Sequence, residues 1–204
     1  MISYAIGIPT LNRADLLEES LKKYVVDFPH TPILIRDNGP QALTKYPLVQ
    51  QIGEVVGNMG VAASWNLLCT NIFNRGCSHA IILNDDVYWG KVEREVNDFL
   101  AKYPDKSFYV TPMDWCNFIM PKKTFQQIGG FDEQFFPAYF EDNDYIYRLN
   151  LKGMSAYKHP FLLPYVYRQS MTMERDVSVR NAYYLNKKRY IAKWGGVPTC
   201  ETKT

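Results

Sequence analysis

Cysteine and histidine are both scarce in this chain. The four cysteines, Cys69, Cys77, Cys116 and Cys200, form no CxxC pair, and there are only three histidines. That spacing gives neither a disulfide framework nor a structural zinc cluster, so the thiols read as reduced groups of an intracellular protein, none of them catalytic. Nowhere do about 18 apolar residues run together, and the N-terminus lacks a basic leader followed by a long apolar core. Neither an integral membrane span nor a secretory signal is therefore expected. Charge of one sign is not in excess either, the formal net charge being +2. The one basic run, Lys187-Lys188-Arg189, reads as a solvated helix face, so no nucleic-acid partner is expected. Internal repeats and low-complexity segments are also missing.

What remains is 204 residues, enough for one substantial core, with a high aromatic share led by 15 Tyr and 11 Phe. Tyr4 to Ile8 reads as a strand that Pro9 stops, and a helical pattern through Leu16, Leu17, Leu21 and Tyr24 follows. A second strand spans Thr31 to Arg36, a third Gly53 to Val56, and a fourth starts near His79; a helix from Val61 to Phe73 precedes the fourth. Strands alternating with helices imply right-handed crossovers and a mainly parallel sheet. Helices are expected at Val92 to Tyr103, Glu141 to Leu151 and Val177 to Trp194. A short one should open with Pro121 in its first turn and end at Gly129-Gly130. Phe108 to Val110, Met113 to Met120, Ala156 to His159 and Leu162 to Tyr167 read as extended. The polar tail from Thr199 to Thr204 is either frayed or a linker to further domains.

The run Ile81-Ile82-Leu83-Asn84-Asp85-Asp86 ends an apolar strand in two carboxylates. In an open α/β sheet that places them in the crevice outside the carboxyl edge, where ligands bind. Oxygen ligands of this kind suit Mg²⁺ or Mn²⁺, which complete their shells with substrate phosphates. A plain polar turn is the competing reading. Three other strand ends, at Thr10 to Arg13, Asp37 to Gly39 and Asn58 to Gly60, converge on the same edge. A second acidic cluster, Glu141-Asp142-Asn143-Asp144, enters a helix behind the aromatic loop Phe131 to Phe140. Acids there also serve as caps, but two clusters in one domain suit a division between cation holding and general base.

Together the segments IPTLNRADLLEESL, IRDNG, GNMGVAASWN, ILNDDVYW and GGFDEQFFPAYFEDNDYIYRLNLKG resemble the family 2 glycosyltransferases with the GT-A fold. The resemblance runs from about Ser3 to Trp194. It implies a single α/β domain with a Rossmann-like, mainly parallel central sheet flanked by helices. A nucleotide-binding half would span about residues 1–112 and a smaller acceptor-side half about 113–195. A looser similarity, to the N-terminal domains of multidomain chlorovirus glycosyltransferases, implies a viral protein working in the host cytoplasm.

The resemblance implies that Pro9, Thr10, Leu11 and Arg13 grip the nucleotide and that Asp37, supported by Asn38, contacts uracil. Asn58, Gly60 and Asn66 would close over the nucleoside. The DxD motif falls on Asn84-Asp85-Asp86, with Asp86 as ligand to Mn²⁺ or Mg²⁺ and Asn84 and Asp85 facing ribose or sugar. Asp142 would be the catalytic base, with Glu141, Trp115 and Tyr139 on the acceptor side; Phe140 fits the core better. Asn84 stands where the motif has Asp, removing one negative charge. Arg168 stands where many relatives carry His and is suited to a diphosphate; His159 lies near enough in sequence to substitute as ligand, though a lone His is more often structural.

The expected activity is metal-dependent, inverting transfer of a glucose- or rhamnose-type hexose from a UDP-sugar to a hydroxyl of a glycan or glycoprotein acceptor. Two alternatives remain. A sugar-nucleotide nucleotidyltransferase is disfavoured because no early glycine-rich loop with Arg and Lys is present to hold a triphosphate. A non-catalytic sugar-binding module is disfavoured by the two intact acidic clusters.

Overall fold

The computed structural model describes residues 3–39, 45–53, 57–112, 115–168 and 177–204. In chain order the elements are β1 (Tyr4–Thr10), α1 (Ala14–Asp27), β2 (Ile33–Asp37), β3 (Val49–Gln51), α2 (Val61–Asn74), β4 (His79–Leu83), β5 (Val87–Tyr88) and α3 (Glu93–Lys102). They continue with β6 (Tyr109–Val110), β7 (Asn117–Pro121), α4 (Lys122–Ile128), α5 (Glu141–Leu151), β8 (Tyr157–Lys158), a 3-10 turn (Pro160–Leu162), β9 (Val166–Tyr167) and α6 (Val177–Trp194).

Seven strands form one sheet in the order β3-β2-β1-β4-β7-β6-β8, while β5 and β9 pair separately. Strands β3, β2, β1 and β4 are parallel, and β7 lies antiparallel to both β4 and β6. Because β6 and β8 are parallel to each other, only β7 runs against the rest. The fold is thus a mostly parallel α/β sheet flanked by helices, as expected, and the chain beyond residue 112 adds β7 and β8 to it.

Period-two alternation sets the two layers. Ile6, Ile8, Ile33, Ile35, Ile81 and Leu83 pack with Leu17, Leu21 and Tyr24 of α1 and Val96, Phe99 and Leu100 of α3. Ala5, Leu34, Ala80 and Ile82, together with Phe118 and Met120, face Trp65, Leu68 and Ile72 of α2 and Tyr145 and Leu149 of α5. Gly7 permits the close approach of α2, since a Cβ there would stand 2.8 Å from Ile82 Cδ1 and 3.2 Å from Leu68 Cβ. A smaller cluster of Phe135, Phe140 and Tyr190 seats α6 on the aromatic loop.

Several strand expectations are corrected. β1 continues through Pro9 to Thr10: its pairing with β4 ends at Gly7, so the missing N–H lies where only β2 remains alongside. The third strand is Val49–Gln51, not 53–56; it is a polar edge strand without an apolar signature, and residues 54–56 lie outside the described residues. The stretch read as extended from Met113 becomes a strand only at Asn117, and Met113 lies outside the described residues. Pro121 closes β7 and sits at the N-cap of α4 rather than inside its first turn. The 162–167 segment holds the end of the 3-10 turn and then two strand residues. The helices starting at Glu141 and Val177 begin and end where the sequence places them.

Candidate active site

A cleft of about 380 Å³ opens at the carboxyl edge of the parallel strands. Its walls include Pro9, Thr10 and Leu11 after β1, Asn38 after β2, Asn58 and Gly60 before α2, and Asn84, Asp85 and Asp86 after β4. Trp115, Tyr139, Glu141 and Asp142 line it from the other side. The loops after β1, β2 and β4 converge with the segment before α2, which is not the strand end expected of it, and both acidic clusters reach the same space.

Local hydrogen bonds hold the loops. Asn38 donates from Nδ2 to Ser64 Oγ at 2.9 Å and accepts the Met59 N–H at 3.1 Å, tying the loop after β2 to the start of α2. Asn58 Oδ1 accepts the Gly60 N–H at 2.9 Å, and the Val61 N–H reaches Pro137 O at 2.8 Å. Gly60 has a φ of +84° and a Cβ there would meet Phe136 at 2.9 Å, so this close approach of two loops requires glycine. Tyr139 and Phe140 stand at φ +78° and +73° immediately before α5, a left-handed pair of bulky residues of the strained kind found at ligand sites.

The acids of the two clusters differ. Asp85 accepts hydrogen bonds from the Thr10 hydroxyl and the Leu11 amide, yet burial, with repulsion from Asp86, pushes its pKa up to about 7. Asp86 is raised to about 6, chiefly by burial, against the opposing pull of Arg13 and Arg168. Glu141 is 5% exposed, its Oε2 has no hydrogen-bond partner, and burial reinforced by Asp142 holds its pKa well above the usual carboxylate range. Asp142 is half-buried, its Oδ1 accepting both the backbone N–H and the Nδ2 of Asn143 at 2.7 Å. Asp144 is set apart from this chemistry. It is fully buried and accepts Arg148, Lys193 and Trp194, locking α5 to α6.

Four residues implied by the resemblance do not line the cleft. Arg13 is buried behind the first loop, ion-paired with Asp15 at 3.1 Å, with Nη1 lacking a partner while its charge acts on Asp85 and Asp86. Asp37 accepts the Gly39 N–H at 2.8 Å and Gln51 Nε2 at 3.4 Å. Asn66 spends its amide on Phe131 N–H, Phe131 O and Glu133, pinning the turn after α4. His159 sits among Phe99, Tyr103 and Tyr157, its Nδ1 accepting the Phe161 N–H. Conversely, Trp65, Cys116, Pro137, Ala138, Tyr167 and Val179 line the cleft without having been singled out. Trp65 lies at an apolar helix position and so reads as core, and the others carry no polar motif. Arg168 reaches the site through its backbone, donating its N–H to Asp86 O at 3.0 Å, while its side chain pairs with Glu19 at 2.7 Å.

Among the described residues no group of three or more His, Cys, Asp or Glu is arranged to enclose a metal. Two carboxylates and an amide on one strand end instead fit a hard cation held by one or two protein carboxylates and completed by phosphate oxygens. No helix among the described residues is long and apolar enough to cross a membrane.

No protein-family model matches the chain, and neither does any curated protein. Among solved structures it is similar to the mannosyltransferase PcManGT from Pyrobaculum calidifontis in complex with GDP-Man and Mn²⁺, at 14% identity and a TM-score of 0.62 over 97% of this chain and 66% of that one. It is also similar to S. aureus TarS 1-349 in complex with UDP, at 10% identity and a TM-score of 0.52 over 72% and 55% of the two chains. A further TarS structure matches at 12% identity and a TM-score of 0.53 over 77% of this chain and 35% of that one. The chain thus spans less than two thirds of the length of each, and at these identities the likeness is one of architecture: a GT-A-like α/β fold.

Proposed function

We propose that this protein is a metal-dependent, inverting glycosyltransferase that moves a hexose from a UDP-sugar to a hydroxyl of a glycan acceptor. The observation that carries the reading is the meeting of Asn84-Asp85-Asp86 and Glu141-Asp142 across one cleft walled by the strand-end loops. Neighbours of the same architecture are complexed with GDP-Man and Mn²⁺ and with UDP, which supports a nucleoside diphosphate and a divalent cation here.

The first loop and the Asn38 and Asn58 to Gly60 segments would hold the nucleotide, and Asp86, with Asn84 and Asp85 beside it, would hold Mn²⁺ or Mg²⁺. When bound, the cation supplies positive charge to the diphosphate leaving group. Asp142 takes the proton of the acceptor hydroxyl as that oxygen attacks C1 from the face opposite the diphosphate, giving inversion; positioned base catalysis contributes about 10²- to 10⁴-fold. Its orientation is fixed by Asn143. Burial, reinforced by Asp142, biases the Glu141 carboxyl toward its neutral form, which leaves the base role to Asp142. Trp115 and Tyr139 offer aromatic faces on the acceptor side.

The test is UDP release from a panel of UDP-hexoses with Mn²⁺ and glycan acceptors, using wild type and Asp142→Asn. The variant should lose about 10²- to 10⁴-fold in transfer while UDP affinity stays within about twofold. Near-normal transfer by the variant removes Asp142 from the base role. Pyrophosphate release from UTP and a hexose phosphate, without transfer, replaces the reading with a nucleotidyltransferase.

A further inference from the structure

The last helix has a charge pattern unlike the rest of the chain. α6 carries five cations, Arg180, Lys187, Lys188, Arg189 and Lys193, and no acid in 18 residues. Taking those five from the chain's 23 Lys and Arg leaves 18 against 21 Asp and Glu, so the remainder is net acidic.

The inner face of α6 is occupied. Val179, Ala182, Asn186 and Tyr190 recur every three or four residues and are buried. Asn186 donates to the Phe136 and Ala138 carbonyls at 3.2 and 2.8 Å, Arg189 donates to Gln134 O, and Lys193 pairs with Asp132 and Asp144. On the opposite side Val177, Tyr184 and Ile191 follow one another at intervals of seven, with Leu185 alongside, and are 62%, 68%, 37% and 65% exposed. By helical periodicity Arg180 and Lys187 border that stripe on one side, and Lys188 lies within it, between Tyr184 and Leu185. A helix with one apolar face buried ordinarily turns a polar face to water. Here the second face is apolar and basic.

We propose that the outer face of α6 docks this protein onto an anionic lipid surface, lying in the interface plane with Tyr184, Leu185 and Ile191 inserted and Arg180, Lys187 and Lys188 at the headgroups. Basic helices with an apolar stripe bind membranes by adding buried apolar area to attraction for anionic lipid. A second copy of the chain fits less well, because a two-fold interface would set three cations against the same three. A nucleic-acid backbone would use the cations and leave the apolar stripe in water. Docking also orients the cleft. Val179 lines it, and Asn186 holds the Phe136 to Ala138 wall, so the acceptor side of the cleft would lie beside the surface.

The test is co-sedimentation of the whole chain with vesicles of phosphatidylcholine alone and of phosphatidylcholine mixed with phosphatidylserine. Wild type should partition to the mixed vesicles at low salt and not to the neutral ones. Each cation near an anionic surface is worth about a fivefold change in partition, so K187E/K188E should weaken it by about 25-fold or more. Y184S/L185S should also weaken it with the charge intact. Both pairs lie outside the cleft, and unchanged melting temperatures verify their folding. The proposal is overturned by three results: wild type failing to sediment with mixed vesicles, sedimentation indifferent to both pairs, or a concentration-dependent dimer that both pairs abolish. Because the assay contains no nucleotide sugar, its result is independent of the transferase reading.

Discussion

The two ends of β4 are built from similar materials and do opposite things. At its start His79 is 8% exposed, its Nδ1 is 2.9 Å from Ser78 Oγ, and burial drives its pKa down to about 4. Just past its end, buried Asp85 and Asp86 are driven up to about 7 and 6. Burial disfavours charge at both ends, but only the acid end opens into the cleft at the carboxyl edge and holds two like charges side by side. The difference teaches where this fold tolerates electrostatic stress. The amino edge of the sheet keeps a neutral ring as part of the packing, whereas the carboxyl edge keeps acids in a setting that a cation would relieve.

Removing the relieved group should have the largest effect. Asp86→Ala should weaken Mn²⁺-dependent UDP binding about tenfold to 100-fold in calorimetric titration, in line with losses on altering metal-site partners; an unchanged affinity with Mn²⁺ present would count against the ligand assignment. The amino end should appear in stability. As pH falls from about 6.5, the unfolded chain protonates His79 before the folded one does, so stability is lost down to about pH 4, by about 3 kcal/mol from this group. His79→Gln should flatten that part of the curve of denaturation midpoint against pH, and an undiminished slope would reassign it. The smallest effect should be a gain. Asp85→Asn, in the absence of metal at pH 8, removes a buried charge and should raise the melting temperature by about 2–4 °C for about 1 kcal/mol. The gain should shrink as pH falls through 7 and vanish only at about pH 3, where Asp85 is protonated in the folded and the unfolded chain alike. A gain that did not change over this range would mean that the burial of charge is not its source.

The amino-acid order made the parallel half of the fold readable because its signals are local. Apolar runs such as His79 to Leu83 end in polar loops, and α5 and α6 have clear breaks at Gly153 and Gly195. Convergence of the strand-end loops followed from strand direction alone. Features decided by distant partners were hidden. Nothing within Asn117–Pro121 says that it inserts antiparallel beside β4, and Val49–Gln51 becomes a strand only because β2 has an edge to offer. The site behaves likewise. Asp85, Asp86, Glu141 and Asp142 were legible as acids at element ends, whereas Asn66 and His159 were polar residues in suggestive places whose hydrogen bonds turn out to serve the backbone. Val179 reaches the cleft from far along the chain, through packing that carries no local mark.

The small β5–β9 pair has a kinetic consequence. It joins Val87 to Tyr167, 80 residues later, and with the Arg168 to Asp86 hydrogen bond it fixes the segment that carries the acids. Closing so long a loop is entropically slow unless the intervening chain has already folded. The β1–β4 pairing and the α2 packing on it do not wait for that closure, so the acid-bearing segment should be among the last parts of the molecule to acquire protection during refolding. A partly folded chain would then hold its sheet while its cleft lacked the acid-bearing wall, which only the final contact would complete.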